Sequence, residues 1–85
     1  MQSFEYTITD SQGIHARPAG LLVKEASKYA SDIKVSFNEK SGDAKRLFSI
    51  MGLGIKCGNK ITVTIDGADE EIAVSAMKDF LEKNL

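Results

Sequence analysis

His15 is the only histidine of the chain, and it stands in Gly13-Ile14-His15-Ala16-Arg17-Pro18-Ala19. A strand-like pattern gives way to a helical one here, so the imidazole falls at a helix start. A helix start offers backbone N–H groups without intrahelical acceptors and a partial positive charge, and both favour a phosphate. A histidine in that place could carry a phosphoryl group instead of merely binding one. Much of it is unprotonated near neutral pH, where its ring nitrogen is a nucleophile. A lone histidine is more commonly a plain surface or capping residue, and three neighbours weigh against that here. Gly13 permits a sharp backbone approach before the helix. Pro18 suits a first helical turn, where its missing N–H costs nothing. Arg17 can fold its guanidinium toward a phosphate beside the ring. Phosphoryl transfer needs a nucleophile and fixed positive groups around the phosphate oxygens. One arginine and a helix terminus, with no Mg²⁺ site, give the moderate hold that a carrier needs.

The chain has no Gly-x-x-x-x-Gly-Lys loop and so no visible nucleotide site, which makes other proteins the expected donor and acceptor. A second constellation fits that need. Leu47, Phe48, Ile50 and Met51 place large apolar residues within five positions of a short helix. Such a helix cannot bury every side. Ile50 is assigned to the core, and Leu47, Phe48 and Met51 are the candidates for exposure. An exposed Phe and Met patch rimmed by Lys24, Lys45 and Arg46 would be a docking surface, to which Leu21 could also belong. One Cys and one His make neither a disulfide nor a zinc site, and nothing beside Cys57 indicates an activated thiol. Asp69-Glu70-Glu71 reads as helix N-terminal charge, not as a catalytic pair. An independent hydrolase is disfavoured, because no second acid or base and no metal cluster accompanies His15.

The elements that must position these groups follow from periodicity. Phe4, Tyr6 and Ile8 alternate with polar residues, the pattern of a half-buried strand. Asp10-Ser11-Gln12-Gly13 reads as a turn. From Ala16 to about Tyr29, the residues Ala19, Leu22, Val23, Ala26 and Tyr29 form one helical stripe. Ile33, Val35 and Phe37 mark a second strand, and Asn38 to Gly42 a hairpin-type connection. Asp43 to Lys45 is a weak third strand. Leu47 to Gly52 is a short helix, Ile61-Val63-Ile65 a clear strand ended by Asp66-Gly67, and Ala73, Ala76, Met77, Phe80 and Leu81 the stripe of a last helix. Helices with one apolar face, alternating with strands, predict two layers with the helices on one side of a small sheet. The 85 residues form one domain, residues 1–85. A net charge of −1 argues against a general nucleic-acid binder, although the lysines of the middle segment allow a local basic face. No apolar run approaches the roughly 20 residues of a membrane helix, no signal peptide is visible, and a lone thiol suits a reducing interior. The expected location is the cytoplasm, with no membrane insertion.

The Gly13-Ile14-His15-Ala16-Arg17-Pro18-Ala19 segment resembles the active-site signature of HPr, the histidine-containing phosphocarriers of the bacterial phosphoenolpyruvate:sugar phosphotransferase system. Tyr6-Thr7-Ile8-Thr9, Lys45-x-Leu47-Phe48, Leu53-Gly54 and Asp66-Gly67-x-Asp69-Glu70 fall at family-like spacing, so the resemblance covers the whole chain. It implies an α+β open-faced β-sandwich in the order βαββαβα, a four-stranded antiparallel sheet covered on one face by three helices. It implies a phosphoryl carrier, not an enzyme, that needs no cofactor and works as a monomer. His15 would accept a phosphoryl group on Nδ1 from phospho-enzyme I and pass it to sugar-specific enzyme IIA domains. Arg17 would steady the phosphate, helped by the backbone N–H groups of Ala16 and Arg17. Leu21, Lys24, Leu47, Phe48 and Met51 match the partner-docking face. Two departures stand out. In the ungapped register Arg46 occupies the position of the regulatory serine of many Gram-positive members, which argues against control by HPr kinase. A register shifted by three would place Ser49-Ile50-Met51-Gly52 on the Ser-Ile-Met-Gly motif, at the cost of a deletion before Leu53-Gly54, so Ser49 is the residual candidate phosphosite. Gln12 also replaces the smaller Asn, Ser or Thr common near the active-site turn. The alternative function is an HPr-like regulatory binding module acting on transcription factors or metabolic enzymes.

Overall fold

The computed structural model describes residues 1–14 and 16–85. Four strands and three helices follow one another as β1 (Gln2–Thr7), α1 (Ala16–Ala26), β2 (Asp32–Phe37), β3 (Lys40–Asp43), α2 (Leu47–Met51), β4 (Lys60–Asp66) and α3 (Glu70–Asn84). The strands form one antiparallel sheet in the order β1-β4-β2-β3. Period-2 patterning decides which face is covered. Ile61, Val63 and Ile65 of β4 and Ile33 and Val35 of β2 are buried, while Lys34, Ser3 and Glu5 point to the open face. All three helices lie on the buried side: α3 over β1 and β4, α2 over β3, and α1 against both α2 and α3. Leu22 and Ala26 of α1, Ile50 of α2 and Met77 and Leu81 of α3 complete the core. This is the open-faced α+β sandwich of the expected βαββαβα order.

One row across the sheet shows how register and packing agree. Phe4, Val63, Val35 and Gly42 are successive cross-strand neighbours. The row ends in glycine because α2 lies directly on β3: a Cβ on Gly42 would stand 2.7 Å from the Ser49 carbonyl oxygen. The seat of α2 therefore depends on a missing side chain.

Two boundaries differ from the periodicity. The β2–β3 connection is only Asn38-Glu39, both at positive φ (52° and 67°), and Phe37 already pairs with Lys40. That is the tight turn that matches strand twist, and Asn tolerates it well. The third strand therefore begins at Lys40, inside the stretch expected to be connection. Helix α1 ends at Ala26 and not near Tyr29. Lys28 and Tyr29 donate to Glu25 and Ala26, three residues back, so the chain tightens and leaves the helix. The next residues are captured from afar: Ala30 and Ser31 donate their N–H groups to the Asp69 carboxylate at 2.8 and 2.9 Å, and the Ser31 hydroxyl donates to it as well.

Candidate functional site

The turn before α1 is built from its own polar atoms. Gln12 N–H donates to Asp10 Oδ1 at 2.9 Å, and Gly13 N–H to the Asp10 carbonyl at 3.0 Å. This side-chain-closed turn is what Asp at a turn start favours. The turn is held from two sides. Below it, Ile14 N–H donates to the Ile55 carbonyl at 3.1 Å, Ile8 N–H to Asn59 and Gly58 N–H to Ile8. Beside it, Thr9 and Asp10 donate their N–H groups to the Leu85 carbonyl at 2.6 and 2.9 Å, and the Thr9 hydroxyl adds a third bond at 2.9 Å. Ile14 is buried, so the segment reaches α1 anchored in the core.

His15, on which the phosphoryl reading turns, lies outside the described residues. Its neighbours do not. Ala16 and Arg17 are the first two residues of α1, both exposed, and Pro18 stands third and is buried. Helix geometry leaves the first N–H groups of α1 without intrahelical acceptors, and Pro18 has none to lose. Arg17, Pro18 and Leu21 line an open groove together with Asp10, Ser11, Gln12 and Asn84. The groove thus collects α1, the Asp10 turn and the carboxyl-terminal end of α3. Sequence patterning singles out Arg17 and Leu21 but gives no sign of Asn84, which the last turn of α3 brings into the groove from the far end of the chain.

The second constellation lies on the adjoining helices. Among the described residues only five large hydrophobic side chains are exposed, and three of them sit on α1 and α2: Leu21 (43%), Phe48 (82%) and Met51 (38%). These three stand on two helices that pack against each other. Ile50 is fully buried, while Leu47 is half-buried and packs against the core. The cations around this face differ in their freedom. Lys24 is exposed. Lys45 is not part of an open rim, because its ammonium donates to the Tyr29 carbonyl at 2.7 Å and so holds the turn that follows α1. Arg46 is the N-cap of α2, makes no side-chain cap bond, and holds its Nε 3.7 Å from Asp43 Oδ2. Ser49 is half-buried on α2. Cys57 is exposed, with Sγ 3.8 Å from the Thr9 carbonyl. Asp69 does more than charge a helix terminus: donation by Ser31 and by the Ala30 backbone holds its carboxyl below the ordinary carboxylate range. Among the described residues no helix is long and apolar enough to cross a membrane.

Comparison with known proteins bears on this arrangement. The family described as PTS HPr component phosphorylation site matches residues 2–83. The chain is similar to the phosphocarrier protein HPr of Mycoplasma capricolum, 46% identical over 92% of this chain and 88% of that protein. It is likewise similar to the phosphocarrier protein HPr of Mycoplasma genitalium, 47% identical over 99% of this chain and 97% of its relative. The solved structure of a Mycoplasma histidine-containing phosphocarrier protein superposes with a TM-score of 0.93 at 43% identity, covering 96% of this chain and 93% of that one. The fold thus recurs together with sequence similarity along nearly the whole length. The chain belongs to the HPr family of phosphocarrier proteins of the phosphotransferase system.

Proposed function

We propose that this chain, residues 1–85 acting as one domain, is a phosphoryl carrier that takes its phosphate on His15 and gives it up again to another protein. The observation that carries the reading is Arg17, exposed in the first turn of α1, lining an open groove and two residues past the histidine in sequence. A neutral imidazole with Nδ1 unprotonated attacks the phosphorus of the donor, and the N–P bond forms as the donor's own bond breaks. The Arg17 guanidinium and the N–H groups of Ala16 and Arg17 steady the equatorial oxygens. The reaction runs backward by the same path onto the acceptor, so no cofactor is needed.

The donor is enzyme I and the acceptors are enzyme IIA domains, docking on Leu21, Lys24, Leu47, Phe48 and Met51. The carrier works as a cytoplasmic monomer. Arg46 has no hydroxyl to phosphorylate, so HPr kinase has no substrate at that position, and Ser49 is the remaining serine of α2. Incubation with enzyme I and phosphoenolpyruvate should add one acid-labile phosphate per chain, absent from His15→Ala. A normal phosphate yield from that variant would refute the assignment.

A further inference from the structure

Gly13 is buried at φ 68° and faces the segment that leads into β4. A Cβ on it would stand 2.5 Å from the Ile55 carbonyl oxygen and 2.5 Å from Lys56 Cα. Both are backbone atoms, and both belong to a braced turn. The Ile55 carbonyl accepts from Ile14 N–H at 3.1 Å, and the Lys56 carbonyl from Asn59 N–H at 3.0 Å. Lys56 N–H donates in turn to Asn59 Oδ1 at 2.8 Å. Neither atom can step aside as the tip of a flexible side chain would. Gly54 makes the informative contrast: its φ is 67°, so a side chain there meets the same backbone strain, yet its Cβ would find nothing within 4 Å.

We propose that Gly13 is a positioning residue for phosphoryl transfer, its bare Cα lying flat on Ile55–Lys56 and so fixing the backbone that runs into His15. The proposal rests on the reading of His15 as the phosphoryl acceptor. In-line transfer demands that the ring nitrogen meet the phosphorus within a narrow range of distance and angle. A displacement of about 1 Å at a reacting group can cost about a hundredfold in rate. Any side chain at position 13 must push the 13–14 backbone away from Ile55–Lys56, and that displacement lands one residue before the histidine. The docking residues on α1 and α2 make no part of this contact, so partner affinity should survive.

The test is the charging of full-length wild type, Gly13→Ala and Gly54→Ala by enzyme I and phosphoenolpyruvate, with the carrier concentration varied. Each is assayed below its own melting temperature, with the folded fraction read by circular dichroism. Gly13→Ala should lose about tenfold to a hundredfold in kcat, the cost of sub-ångström to ångström misplacement, while KM stays near wild type. Gly54→Ala should keep the wild-type kcat despite its strained backbone. Asn59→Ala loosens the braced turn without adding a Cβ, and should also lower kcat at an unchanged KM, which keeps the proposal testable if Gly13→Ala does not fold. Equal kcat in Gly13→Ala and wild type, a loss seen only in KM, or an unaltered kcat in Asn59→Ala would each overturn it. A wild-type chain that takes up no phosphate would instead overturn the reading of His15, and this proposal with it.

Discussion

At the scale of single residues, charge and exposure separate chemistry from support. Arg17 is exposed in the first turn of α1 and has no acidic residue in that turn. Its guanidinium is therefore available to a phosphate at little structural cost. Arg17→Glu should slow charging by about a hundredfold or more, the usual loss on removing one donor from a charge-stabilising site. The melting temperature should stay within the small range of exposed substitutions, measured by thermal unfolding beside the transfer assay. Asp69 has the opposite role. Its carboxylate accepts from Ala30, from Ser31 and from the Ser31 hydroxyl, and those donors hold its pKa below the ordinary 3.8. A carboxyl depressed on folding lends stability that is complete above its ordinary pKa and fades as the pH falls through the folded-state value. Asp69→Asn should therefore melt lower than wild type at neutral pH, with the gap closing in acid. A pH-independent gap would show that the charge is not what matters.

The elements show how α2 divides between core and surface. Ile50 points in and is fully buried, while Phe48, two residues earlier, is 82% exposed. Ile50→Ala should cost about 2–5 kcal/mol of stability, as buried large-to-small changes do. Phe48→Ala should stay within about 0.5 kcal/mol yet weaken partner binding by more than about 1 kcal/mol. Denaturant melts and titration calorimetry with enzyme I distinguish the two; a melt of Phe48→Ala resembling that of Ile50→Ala would place Phe48 in the core. Helix α2 was legible because its apolar cluster stops at Gly52, which is its C-cap. Strand β3 was nearly illegible: of Lys40-Ser41-Gly42-Asp43 only Gly42 is buried, so alternation has no apolar residue to display. The end of α1 was equally hidden, because the chain that leaves it is held by Asp69, 38 and 39 positions away. The candidate site divides the same way. Its motif is local and could be read directly, but Ile55–Lys56 supports it through backbone atoms, which leave no mark in side-chain pattern.

Taken whole, the molecule joins distant parts of the chain at two ends of its sheet. Asp69 ties the α1–β2 connection to the start of α3, and the Leu85 carbonyl ties the end of α3 to Thr9 and Asp10. The sheet order carries a further consequence, for the time course of folding. β1 neighbours β4, with Gln2 opposite Ile65 and Thr7 opposite Lys60. The β2–β3 hairpin closes through two residues and can form at once, whereas β1 must wait for a partner made long after it. During synthesis β1 is thus the early strand that is placed late. The loop behind it inherits the delay: Ile8 and Ile14 have their hydrogen-bond partners among Ile55, Gly58 and Asn59. The turn before α1, closed locally by Asp10, therefore gains its outside supports only after most of the chain has left the ribosome, and a nascent or truncated chain holds that turn without them.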